Sequence, residues 1–103
     1  MRIIALSTLR AYARRMPDSA KALGAWYEVA KAATWRNAAE VKLTYGSASI
    51  INAERIVFNI AGNKHRLIVA ADFRRSIFFI KFIKTHAEYD QVDVATIQYV
   101  EHP

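Results

Sequence analysis

The sequence predicts a single α+β domain over residues 1–103, with helices first and a small antiparallel sheet after them. Three observations carry this. Apolar residues recur at helical spacing up to Gly46, they alternate with polar ones after it, and Ala61-Gly62-Asn63-Lys64 punctuates two alternating runs. A chain of 103 residues is too short to hold a cofactor domain beside a catalytic one, so one site on one core is expected.

Ser7 is placed to cap a short helix running to about Met16, where Pro17 stops it, because proline lacks an amide donor and disfavours helix in the residue before it. Asp18 or Ser19 then opens a second helix. Its stripe of Ala22, Leu23, Trp26, Val29, Ala30 and Ala33 turns to a core and leaves Lys21, Glu28 and Lys31 outward. Asn37 followed by Glu40 has the shape of a capping box, and it starts a third short helix from Ala38 to Tyr45, with Gly46 as its stop.

In the run from Arg55 to Ile60, Ile56, Phe58 and Ile60 point one way while Arg55, Val57 and Asn59 point the other. If Gly62 and Asn63 make the turn, both tolerating positive φ, Phe58 falls opposite Leu67 and Asn59 opposite Arg66. The next strand runs from Arg66 to about Ala71. Beyond Asp72-Phe73-Arg74-Arg75, the stretch from Ser76 to Lys84 is apolar on both sides, as a central strand is. An even-residue loop at Phe73 would bring Lys81 onto the face of Asn59 and Arg66, an odd one Lys84; Lys81 is the expectation. Thr85 to Ile97 closes the chain as a loop and a short last helix.

Fifteen Lys and Arg against nine Asp and Glu give a net charge of +6, a surface that attracts polyanions, of which nucleic acid is the commonest. No basic amphipathic segment carries a free apolar face, which argues against a membrane partner. The apolar start from Met1 to Ala5 has neither the length of a bilayer span nor the layout of a signal peptide, and a cytoplasmic protein is expected. Without cysteine there is no thiol catalysis or thiolate metal site, and three scattered histidines make no zinc spacing. No metal and no cofactor are expected, and the chemistry falls to His, Lys, Arg, Tyr and carboxylates.

Two segments are distinctive: Val57-Phe58-Asn59-Ile60-Ala61-Gly62-Asn63-Lys64-His65-Arg66-Leu67, and Ile80-Lys81-Phe82-Ile83-Lys84-Thr85-His86-Ala87-Glu88-Tyr89-Asp90. Together with Trp35-Arg36-Asn37, Val41-Lys42 and Tyr45-Gly46-Ser47-Ala48 upstream, they resemble the HigB toxins from Trp35 to Val94. That resemblance implies a RelE-like fold and ribosome-dependent cleavage of translated mRNA. It also implies a HigA-like helix-turn-helix antitoxin as partner, with operator DNA contacted only through the antitoxin complex.

Metal-independent cleavage needs a group to activate the 2′-hydroxyl, positive charge on the pentavalent phosphate, and an acid for the departing 5′-oxygen. On the resemblance, Arg66 and Lys81 clamp the phosphate, His86 transfers a proton, and Tyr89 stacks on a base or positions the phosphate. Asn59, Asn63, Lys64 and Lys84 are substrate-binding candidates, with Asn59 and Asn63 also able to orient Arg66 or the turn. The division of acid and base among His86, Lys81 and Tyr89 stays open. Glu88 and Asp90 are assigned to capping the last helix, Trp26, Trp35, Phe78, Phe79 and Phe82 to the core, and His65 and His102 to no role. The alternative function is a non-catalytic basic module that binds nucleic acid within a repressor complex. Under either reading the purified protein should bind RNA with an affinity that falls steeply as salt rises, since Lys and Arg contacts release counterions. Binding unmoved by salt in a filter assay would contradict it.

Overall fold

The computed structural model describes residues 1–94. Its elements are β1 (Arg2–Ile4), α1 (Leu6–Arg15), α2 (Pro17–Ala32), α3 (Ala38–Thr44), β2 (Ser49–Ile50), β3 (Arg55–Ile60), β4 (His65–Asp72), β5 (Ile77–Thr85) and α4 (His86–Tyr89). The strands form one sheet in the order β1-β5-β4-β3-β2. β2 to β5 pair antiparallel as expected, but β1 lies parallel to β5, so the sheet is mixed. Neither β1 nor β2 is long enough to show an alternating pattern in sequence. The expected closing segment holds the single turn of α4; its residues 95–97 lie outside the described residues, as does His102.

The helix starts differ in detail from the sequence expectation. Ala5, not Ser7, caps α1, and its left-handed backbone (φ 71°) supplies the sharp turn from β1 into the helix. Pro17 ends α1 by beginning α2, because the first helical position needs no amide donor. Neither Asp18 nor Ser19 opens α2; the buried Ser19 hydroxyl donates back to the Met16 carbonyl at 2.7 Å. At α3 the Asn37 side chain accepts from the Glu40 amide at 2.9 Å, as a cap should. The Glu40 carboxylate, however, accepts from the amide and guanidinium of Arg36, at 2.7 and 3.0 Å, instead of closing the box on Asn37.

Phe58 does lie opposite Leu67 and Asn59 opposite Arg66. The positive φ angles fall on Ala61 (55°) and Gly62 (69°), one residue earlier than expected, without altering the register. The next connection is even, since Asp72 pairs with Ile77 and leaves four residues between. Val69 accordingly meets Ile80. A β-bulge follows at Lys81: Ile68 pairs with Phe82, Leu67 with Ile83, and Arg66 with Lys84. Lys81 is therefore not the neighbour of Arg66. The extra residue shifts the strand by one, and the register delivers Lys84 in its place.

The core lies between the helices and one sheet face. Phe78 is fully buried and stacks on Trp26 and Trp35, with ring centroids 6.3 and 5.7 Å away. Phe58 meets Trp26 and Tyr45 edge-on at 5.4 and 5.3 Å, geometries that suit the ring quadrupoles. On the other face Val57, Ile68 and Phe82 form a smaller cluster under Tyr89, Val92 and Val94. The middle of β3 to β5 is thus covered on both sides, which explains why β5 carries apolar residues on both faces, interrupted only by Lys81 and Lys84. No helix among the described residues is long and apolar enough to cross a membrane. Phe78→Ala should lower unfolding free energy by about 3–5 kcal/mol in urea titration; a loss under about 1 kcal/mol would show that the aromatic stack does not dominate the core.

Candidate active site

The hairpin β3–β4 and the junction of β5 with α4 meet at one end of the sheet, on the face away from α1 and α2. Arg66 is second in β4, alternating with the core residues His65 and Leu67, and only 8% of it is exposed. A guanidinium so buried needs acceptors. One terminal nitrogen donates to the carbonyls of Asn63 and His65, each at 3.2 Å, and the other donates to the Asn63 side-chain oxygen. The latter nitrogen also lies 3.5 Å from His86 Nδ1. Since guanidinium only donates, this contact favours Nδ1 as the acceptor.

His86 opens α4. Its amide donates to the Lys64 carbonyl at 3.0 Å, so the helix start is tied to the hairpin turn that holds Arg66. Its Nε2 lies 3.6 Å from an Asp90 carboxylate oxygen, one helical turn on. The ring is 38% exposed, open to a ligand. Tyr89 places its ring 5.8 Å from the Arg66 guanidinium carbon and 6.5 Å from the His86 ring, and it meets the Phe82 ring edge-on at 6.4 Å.

Lys84, opposite Arg66, is 27% exposed, with its ammonium 3.5 Å from Glu88. Glu88 and Thr85 form a complete capping box. Burial pushes the Glu88 carboxyl up, but the hydrogen bonds from Thr85 and the Lys84 charge outweigh it and hold the carboxyl below its ordinary value.

Of the residues singled out from sequence, Arg66, His86, Tyr89, Asn63 and Lys84 come together. Asn63 orients Arg66. Asn59 shares the register row, yet its amide reaches the Ser47 carbonyl at 3.5 Å. Lys64 is exposed in the turn. Lys81 lies on the same sheet face as Arg66, its ammonium 5.7 Å from the Phe79 ring centroid, but about 10 Å back along the strand from Lys84. Sequence reasoning missed the pairing of Asp90 with His86, although the spacing of four on a helix signals it. It also passed over His65, whose alternation with Leu67 and Val69 turns it into the core.

Residues 19–92 match the family model for HigB_toxin, the RelE-like toxic component of a toxin-antitoxin system. The chain belongs to the HigB toxin family. It is also 30% identical over 94 residues to the mRNA interferase HigB of Escherichia coli O6:H1, covering 89% of this chain and 91% of that one. Family membership fits the α+β architecture above and implies an antitoxin partner. The family match extends to residue 92, past the whole of α4 and the His86–Asp90 pair.

Because the Glu88 carboxyl ionises at lower pH folded than unfolded, the capping box adds stability above the ordinary glutamate range and loses it as pH falls through the lowered value. Acidification from about pH 5 to about pH 3 should therefore fray α4, raising exchange of the Glu88 and Asp90 amides, which donate to the Thr85 hydroxyl and the His86 carbonyl. In Glu88→Gln that response should vanish, and an unchanged response would assign it elsewhere.

Proposed function

We propose that this HigB-family chain is a ribosome-dependent endoribonuclease that cuts translated mRNA and is silenced by an antitoxin. The observation that carries the reading is the juxtaposition of the Arg66 guanidinium with His86, whose helix start is hydrogen-bonded to the Arg66 hairpin. A fixed positive charge and a proton-transfer group side by side are what phosphodiester cleavage by an internal nucleophile requires. In this reading a ribose 2′-hydroxyl gives up its proton and attacks the adjacent phosphorus. The bond to the 5′-oxygen breaks, and that oxygen leaves with a proton as a 5′-hydroxyl, leaving a 2′,3′-cyclic phosphate.

His86 serves one of the two proton transfers, with Asp90 stabilising the imidazolium that forms. Arg66 and Lys84 carry the charge of the pentavalent phosphorane. Tyr89 positions the phosphate or a base. Lys81, Lys64 and Asn59 contact flanking nucleotides, and the ribosome orders the strand that so small a site cannot order alone. The setting is cytoplasmic, and the silencing partner is a HigA-like helix-turn-helix antitoxin through which alone operator DNA is reached.

His86→Ala should fold normally and lower single-turnover cleavage of ribosome-bound message by roughly 10²- to 10⁴-fold. Arg66→Ala should also slow it, and the two losses should not add, since both act on one phosphate. Naked RNA should be cut poorly. Wild-type cleavage by folded His86→Ala would remove His86 from the chemistry, and harmless expression of the folded wild-type chain would favour a non-catalytic nucleic-acid-binding module.

A further inference from the structure

Directly before Arg66 stands a histidine that the chemistry above does not use. His65 is 1% exposed, deep between the sheet and the first two helices. Both ring nitrogens are engaged: Nε2 lies 3.0 Å from the Asp18 carboxylate on α2, and Nδ1 lies 2.7 Å from the Tyr12 hydroxyl on α1. A carboxylate can only accept, so Nε2 carries a proton, and the Tyr12 hydroxyl can donate to Nδ1. One neutral tautomer thus satisfies the chain Tyr12–His65–Asp18. The Tyr12 ring also meets the imidazole edge-on at 5.4 Å.

An apolar side chain would fill the same space without placing polar groups in the core. What the histidine adds is direction. Two hydrogen bonds to two different helices fix the ring, and with it the peptide of the first residue after the hairpin turn. The carbonyl of that peptide accepts from the Arg66 guanidinium at 3.2 Å. His65 also pairs with Thr85, the cap of the helix that carries His86, and the neighbouring Lys64 carbonyl receives the His86 amide. Tyr12 feels this end of the sheet directly: burial, with the charges of Glu88 and Asp18, pushes its hydroxyl up to about 12 against the pull of Arg15.

We propose that the buried Tyr12–His65–Asp18 chain is a positioning device that fixes the Arg66 guanidinium against His86 by anchoring the His65 peptide to α1 and α2. These are positioning residues, since none touches the reacting atoms. The proposal rests on the nuclease reading for its kinetic consequence, but its structural half can be read without any cleavage.

The test is a double-mutant cycle with Tyr12→Phe, which removes one oxygen and keeps the ring. Tyr12→Phe should lower single-turnover cleavage on ribosomes by about 10- to 100-fold, with RNA affinity held within about twofold. In an Arg66→Ala background it should cost nothing further. An equal loss in that background, or none in the wild type, overturns the proposal. Should Tyr12→Phe fail to fold, Asp18→Ala probes the exposed end of the chain, and Asp18→Asn, which keeps an acceptor for Nε2, should restore the rate. A rate that Asn does not restore counts against it. Independently of cleavage, the Arg66 Nε–H resonance, assigned by its loss in Arg66→Lys, should shift in Tyr12→Phe. An unmoved resonance overturns the proposal, whereas a shifted one in a wild-type protein that cuts nothing defeats only the nuclease reading.

Discussion

One extra residue in β5 decides where every later side chain of that strand points. Without the bulge at Lys81, the four-residue turn after Asp72 would set Ile83 beside Arg66 and turn Lys84 under the helices. An isoleucine would then face water and an ammonium would face the core, an arrangement the burial of uncompensated charge forbids. The bulge returns Ile83 to the core at 5% exposure and sets Lys84 in the row of Arg66. It also re-aims the strand end from which α4 and His86 follow.

The site is made rigid by groups that have no chemistry of their own. A four-residue helix has no stability in isolation, because nucleation costs more than one turn returns. α4 exists through the Thr85–Glu88 box, the packing of Tyr89 on Phe82 and the bond from His86 to the hairpin. Arg66 is held likewise, by the carbonyls of Asn63 and His65, so its guanidinium has a set direction; in the proposed nuclease reading less reorganisation is then needed when charge develops nearby.

Much of this was legible in the residues. The β3–β4 register followed from alternation and a turn signal, and it set Asn59 against Arg66 correctly even though the turn's positive φ angles fell one residue earlier. The grouping of Arg66, His86 and Tyr89 was legible because all three sit within two short segments. Lys84 was not. A bulge leaves no mark on an apolar strand buried on both faces, since Ile-Lys-Phe-Ile-Lys fits either phase. The three residues of β1 were equally silent, for a parallel edge strand draws its partner from the far end of the chain. Tyr12 and Asp18 fell on helices far from the hairpin, and only the inward alternation of His65 hinted that something polar awaited it.

That parallel edge has a consequence for how the molecule comes into being. Arg2 pairs with Ile77, so the first strand waits for its neighbour until residue 77 has been made. Contacts so distant in sequence form late and slowly. Arg66, Lys84 and His86 converge only when β5 has paired with β4 and α4 has followed it. In a chain made only as far as β4 these groups are not together, and the site takes shape after β5 and α4 have followed.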